Sequence, residues 1–252
     1  MAETRMLEPL GTPKSVFLES VRRSLDRGAA PPEQPYHHLM EDVADLEAQV
    51  EQIRARLSES RDRLLDQLAR VAQAGGWNVS RVPDPEDAIA YVESLAAAQE
   101  VGSIVRSDEE VFHQLPLDAS IRDLGVSITT VARNEDQSRE ALREKIIAAG
   151  IGITGADYAV AETGSVVVLP RRGLSRLVSL VPPIHIALVQ PDDVIESLDD
   201  LFLLRRLEYH RQGGEMGSYL NFITGPSRTA DIEQTLVVGV HGPKEVHLLL
   251  LG

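Results

Sequence analysis

The chain has 252 residues, 43% of them hydrophobic, so a sizeable α/β core can be buried and wholesale disorder is excluded. Acidic residues outnumber basic ones 39 to 25, and the resulting charge of −14 argues against a nucleic-acid or membrane-surface partner, because it repels both phosphate backbones and anionic lipid. Cysteine is absent, which removes disulfides, thiolate catalysis and any iron–sulfur cluster held by this chain's own thiolates.

The first residues, MAETRMLEPLGTPKSVF, lack the basic-then-apolar order of a signal peptide. No apolar run nears the roughly 20 residues that span a bilayer, so the expectation is a soluble cytoplasmic protein without membrane insertion. Residues 1–35 read as an N-terminal arm with a short helix. Val16, Phe17, Val21 and Leu25 fall at helical spacing before GAAPPEQP, Gly28 to Pro35, breaks the pattern. Residues 36–74 read as one long helix. Val43, Val50, Leu57, Leu64 and Val71 recur every seven residues, with Leu39, Leu46 and Ile53 in the alternate seam. That seam lapses at Ser60 and Gln67. A seam of this kind wants a partner helix, so residues 39–71 either join a second copy or another protein, or pack on their own domain. Gly75-Gly76 ends the helix.

From residue 75 to 252 the chain alternates strand and helix. Strands are expected at WNVSRV (77–82), GSIVRS (102–107), GVSITTVA (125–132), in GITGADYAVA and GSVVVL, at IHIALV (184–189), YLNFIT (219–224) and EVHLLLL (245–251). Helices are expected at PEDAIAYVESLAAA (85–98), SREALREKIIAAG (138–150) and DDVIESLDDLFLLRRLEYH. The runs VVVL, IHIALV and HLLLL lack alternation, as strands covered on both faces do. The fold class is therefore α/β, a largely parallel sheet with flanking helices preceded by the helical arm. Ligands of such sheets sit at the carboxyl ends of the strands.

Two stretches carry polar groups where a sheet prefers apolar ones. In AETGSVVV a sharp turn places Glu162, Thr163, Gly164 and Ser165 between two strands; Thr163 and Ser165 could hold an anion or carboxylate, and Glu162 could move a proton. The competing reading makes Glu162 a solvated turn residue and Thr163 a partner of its own backbone. In ITGPSRTADIEQ, Gly225, Ser227, Arg228 and Thr229 precede an expected helical turn near Ala230, whose free N–H groups would bind an anion. Alternatively Thr229 is only an N-cap, with Asp231 favoured by the helix dipole. His241, in Gly239-Val240-His241-Gly242-Pro243, is a candidate acid or base, or a loop histidine bonded to backbone. Arg171, Arg172 and Arg176 form the most basic patch. No HxxxH, HExxH, GxGxxG or GxxxxGK[ST] spacing is present, so no metal or nucleotide site is expected.

AETGSVVV, SLVPPIHIALV (179–189), GPSRTADIE (225–233) and GVHGPKEV (239–246), in this order, resemble the LUD-domain family, of the lactate utilization protein C type. The resemblance covers about Gly75 to the C-terminus. It implies a NagB/RpiA/CoA-transferase-like α/β fold. It further implies a subunit acting with two cysteine-rich iron–sulfur proteins in oxidising L-lactate to pyruvate. Redox centres would then lie in the partners and no cofactor in this chain. A small carboxylate would bind where Glu162 and His241, as candidate catalytic groups, meet Thr163, Gly164, Ser165, Gly225, Ser227, Arg228, Thr229 and Asp231 at one end of the sheet. Two alternatives remain: a self-sufficient CoA or acyl transferase with Glu162 as nucleophile, and an assembly module acting through the long helix.

Overall fold

IHIALV and EVHLLLL, the two longest runs without alternation, become the central strands of a six-stranded sheet. The structure, a computed structural model, describes residues 13–26, 40–132, 138–169, 176–214, 217, 219–230 and 236–252. It divides into two units, 1–41 and 42–252. The described part of the first holds α1 (Lys14–Ser24), which begins after Pro13 and carries Arg22 and Arg23 in its last turn, where cations suit the helix dipole.

The second unit opens with α2 (Val43–Glu59), α3 (Arg61–Gly75), β1 (Asn78–Val82), α4 (Pro85–Ala98), β2 (Ser103–Arg106), α5 (Val111–Gln114), α6 (Leu117–Asp123) and β3 (Ser127–Thr130). It continues with α7 (Arg139–Ala148), β4 (Ile151–Gly155), β5 (Tyr158–Val160), β6 (Ser165–Val168), α8 (Leu177–Leu180), β7 (Ile184–Val189) and β8 (Val194–Ile195). It closes with α9 (Leu198–Arg211), β9 (Asn221–Ile223), β10 (Arg228–Ala230), β11 (Leu236–Val238) and β12 (Glu245–Leu251). The main sheet runs β1-β12-β7-β4-β2-β3 and every pairing is parallel. A second sheet, β8-β5-β6-β9, is mixed, and β10 and β11 form an antiparallel pair.

Alternate residues of the central strands feed two cores. Ile151, Ile153, Ile184, Ile186 and Leu188 pack with Val92 and Ile121 on one face of the sheet. On the other, Ala187, Val189, Val246, Leu248 and Leu250 meet Leu64, Leu68 and Ala72 of α3 and Ala159, Val166 and Val168 of the second sheet. The far side of that second sheet, through Val160, Val167 and Ile195, packs on Leu201 of α9, whose Leu207 in turn covers Leu46 and Val50 of α2. The largely parallel α/β architecture read from the sequence is the one observed.

Several local expectations differ. The 36–74 helix breaks at Ser60, where the seam lapsed, into α2 and α3, and its Leu46, Val50, Ile53 and Leu64 are buried within their own unit. Residues 228–230 are a strand, not a helix start: pairing of Thr229 with Val237 supplies the backbone partners that a helix would have supplied. The helices α5 and α6, of 4 and 7 residues, are too short to leave a periodic signal. Among the described residues no helix is long and apolar enough to cross a membrane.

Candidate functional site

The β5–β6 turn is built around Gly164, whose φ of +65° lies in the left-handed region and whose amide donates to Val160 O at 2.9 Å. The turn places Thr163 Oγ1 2.9 Å from Ser165 Oγ, which is 2.9 Å from Thr224 Oγ1 just after β9. Ser165 is buried and Thr163 partly so. Glu162 is exposed and faces elsewhere. Its N–H donates to Glu196 O at 3.0 Å, and its Oε2 accepts from Leu198 N–H at 3.2 Å, the first residue of α9. The carboxylate thus caps a helix.

The second cluster surrounds the end of α3. Gly225 lies against the Gly75 carbonyl and the Arg228 guanidinium against Gly76. Ser227 donates its N–H to Pro243 O at 2.9 Å and accepts the His241 N–H on its Oγ at 3.1 Å; His241 itself is exposed. Gly76 and Pro243 lie two residues before β1 and β12, and Pro183 directly precedes β7. The hydroxyl and glycine signatures therefore meet beside the amino ends of the parallel strands, not the carboxyl ends expected of them. No hydrogen bond among the described residues joins Glu162 to Thr229 or His241, and Asp231, Arg171 and Arg172 lie outside the described residues. A hollow of about 230 Å³ between the α2–α3 junction and Pro191-Asp192, lined partly by Arg54, Ser58 and Arg61, includes none of the expected site residues.

The carboxyl ends hold a group that no motif announced. β2 and β4 are neighbours, yet the chain goes from β2 to β3 on one flank, while from β4 it passes through β5 and β6 of the second sheet before it rejoins the main sheet as β7 on the other flank. This divergence is a topological switch point. Just beyond the end of β2, Ser107 is fully buried and Glu109 is 7% exposed. Glu109 Oε2 accepts the Ser107 hydroxyl and, at 3.2 Å, the Gly155 N–H at the end of β4. A Cβ on Gly155 would stand 3.0 Å from the Glu109 Cβ and 3.1 Å from Val111 Cγ1, so the glycine is what lets the carboxyl lie across the strand end. Oε1 is buried without a partner. Burial, with the Asp157 charge adding, raises the Glu109 pKa, against the opposing pull of the Ser107 and Gly155 hydrogen bonds. Arg106 fixes the frame: its guanidinium bonds Asp118 at 2.6 and 3.1 Å, donates to the Ser107 carbonyl at 2.9 Å, lies 4.8 Å from the Phe112 ring centre and 3.8 Å from Asp108. The readable signal was a Ser-Asp-Glu run directly after a strand.

The LUD-domain family model matches residues 65–251. The chain belongs to the LUD-domain family. Lactate utilization protein C of Halalkalibacterium halodurans is 47% identical over 105 residues, 41% of this chain and 45% of that protein, less than half its length. Lactate utilization protein C of Bacillus pumilus is 31% identical over 196 residues, 76% of this chain and 80% of that one. Lactate utilization protein B of Shouchella clausii is 23% identical over 248 residues, 80% of this chain and 50% of that one. A crystal structure of a DUF162 family protein from Deinococcus radiodurans shares the fold, with a TM-score of 0.52 at 22% identity over 77% of this chain and 99% of that one.

Within the LUD domain two histidines sit on opposite faces of the main sheet. His185 is fully buried, with Nε2 2.9 Å from Thr154 Oγ1, Nδ1 without a partner, and its ring 6.2 Å from that of Trp77. Burial, and secondarily the nearby His247, lowers its pKa to about 3. His247 lies between Tyr91 Oη at 2.8 Å and Glu245 Oε1 at 3.0 Å, and burial lowers its pKa against the raising pull of Glu245. Among the described residues no three His, Cys, Asp or Glu side chains are grouped to hold a metal ion.

Proposed function

We propose that this LUD-domain chain serves lactate utilization as a subunit of an L-lactate-oxidising assembly, converting lactate to pyruvate with electrons carried by cysteine-rich iron–sulfur partners. In this reading the chain binds the small carboxylate or organises the complex and holds no redox centre of its own. The observation that carries it is the absence of any cysteine from a chain whose relatives bear the names lactate utilization protein C and B. A chain with no thiolate cannot ligate an iron–sulfur cluster through cysteine, so clusters must come from elsewhere. The match to a protein B over 80% of this chain, filling half of that protein, supports a system built from several LUD-containing chains.

The transferase reading asks Glu162 to be a free nucleophile, whereas its Oε2 is engaged by the first N–H of α9. The assembly reading asks the 39–71 seam to face outward, whereas its apolar residues from Leu46 to Leu64 pack inside their own unit. Neither is favoured by an observation. The test is lactate-dependent dye reduction by the purified chain alone and after addition of the iron–sulfur partners. The expected result is no reduction alone and reduction on reconstitution. Full activity without partners would overturn the reading.

A further inference from the structure

The geometry points to the hollow at the α2–α3 junction as the binding site of a small organic carboxylate, whose charge Arg54 and Arg61 receive. Its volume of about 230 Å³ lies below the roughly 300–1,000 Å³ of sites that take drug-sized ligands, so it suits a molecule of a few carbons. Its base is apolar, for Leu64 and Val194 are 1% and 4% exposed. Its polar wall carries Arg54 and Ser58 of α2, Arg61 at the start of α3, and Asp192. A methyl group against the base and a carboxylate against the guanidiniums match that division; an ammonium does not.

The position is the one where ligands of open parallel sheets gather, beyond the carboxyl ends of the strands. Pro191 and Asp192 follow the end of β7, and a Cβ on Gly252, directly after β12, would stand 3.0 Å from Pro191 Cγ. The hollow therefore adjoins the ends of both central strands. The break at Ser60 brings Arg61, the first residue of α3, to the same space as Arg54. No side chain caps that end of α3, and its first-turn Asp62 does not line the hollow, so the positive end of the helix dipole adds to the two cations.

Both cations have donors to spare. Arg54 gives one N–H to Glu51 at 2.8 Å and Arg61 one to Asp192, of the five that a guanidinium carries. Arg56, which faces α9, by contrast spends its Nε on Glu196 and an Nη on Asp200. The two pairs at the hollow are also open to solvent, the arginines about half and their carboxylates more, at 70% and 79%. Exposed pairs contribute little, so a ligand carboxylate replaces Glu51 or Asp192 at small cost. Two guanidiniums against the Asp192 carboxylate leave the hollow positive in a chain of net charge −14, which steers anions to it. The narrower choice of a 2-hydroxy or 2-oxo acid among small carboxylates rests on the proposed function.

The experiment is methyl NMR titration of the full chain with L-lactate, with pyruvate and with inorganic phosphate. In wild type the Leu57, Leu64 and Val194 methyl signals should move with lactate or pyruvate and respond much less to phosphate, which has nothing to set against the apolar base. Arg54→Gln and Arg61→Gln should each weaken binding roughly fivefold, and the double variant by about 25-fold if the two act independently. Glu51→Gln and Asp192→Asn remove the competing carboxylates and should each tighten it by about twofold or more. Arg81→Gln takes an equally exposed, ion-paired arginine from outside the hollow and should change nothing. Methyl signals distant from the hollow check that each variant folds. The inference is overturned by wild-type affinity in the double arginine variant, by weaker binding in Glu51→Gln, by phosphate binding as well as lactate, or by no wild-type shift at any concentration. Reconstituted dye reduction without these shifts removes the site and leaves the subunit reading standing. Shifts without reconstitution keep the site and remove that reading.

Discussion

A Cβ built on Gly164 would stand 2.6 Å from the Ala72 amide nitrogen and 2.8 Å from its α-carbon, so the β5–β6 turn is pressed directly onto the last turns of α3. Both contacts are to backbone and neither can swing aside. Gly164→Ala therefore combines a disfavoured positive φ, about 1 kcal/mol, with an overlap that must displace a helix, a further 1–3 kcal/mol. Urea denaturation should show a loss of at least about 2 kcal/mol. A loss within 0.5 kcal/mol, the range of ordinary surface changes, would mean that the turn and α3 are not in contact.

Glu162 gives the opposite expectation. Its carboxylate is exposed and meets the first N–H of α9, where a negative charge is worth roughly 0.3–1 kcal/mol. Glu162→Gln keeps an acceptor oxygen and loses only the charge, so stability should fall by less than about 1 kcal/mol. Lactate-dependent dye reduction in the reconstituted assembly should be retained. Complete loss of activity in a normally folded Glu162→Gln protein would return Glu162 to the reacting atoms.

These two neighbours show what the sequence could carry. The central strands β7 and β12 were readable because burial on both faces removes alternation and leaves IHIALV and HLLLL as plain apolar runs. The sharp turn at Glu162-Thr163-Gly164 was readable because it needs a glycine. The second sheet was readable in part: GITGADYAVA, GSVVVL and YLNFIT hold β5, β6 and β9, whereas β8, two residues long, lies in a stretch that reads as the start of the following helix. Ser227-Arg228-Thr229 reads locally as a helix start, and its pairing with residues 236–238 is a tertiary fact that overrides that preference. Glu109 belongs to no motif, and its meaning comes from Gly155, 46 residues away, brought alongside by the parallel pairing of β2 with β4.

Arg56 and Asp200 test the packing of α2 on α9. The Asp200 side chain is 8% exposed, its Oδ1 is 2.6 Å from the Arg56 guanidinium and its Oδ2 is unpartnered. Removing one partner of a buried pair costs about 3–5 kcal/mol, and solvent at the half-exposed Arg56 reduces that to roughly 2 kcal/mol here. Arg56→Ala should therefore destabilise more than Asp200→Asn, which leaves no buried charge behind. The double variant should lose less than the sum of the single ones, a coupling that urea titration of all four proteins measures.

His185 sets an acid limit on stability. In the fold the imidazole stays neutral down to about pH 3, whereas in the unfolded chain it protonates near 6.5. The unfolded state therefore binds the extra proton first as pH falls, and stability present above pH 6.5 is lost progressively toward pH 3. For a fully buried group this linkage is on the order of 5 kcal/mol at its limit. The groups facing the ring are Thr154 and Trp77 on its own side and His247 across the sheet, and none of them supplies a negative charge to hold an imidazolium. Because Trp77 is the single tryptophan, its fluorescence reports this core directly. Urea midpoints read from that fluorescence at pH 7, 6, 5 and 4 should fall steadily in wild type. In His185→Gln, whatever its absolute stability, the slope across this range should flatten. An equally steep slope in that variant would assign the acid sensitivity to the carboxylates instead.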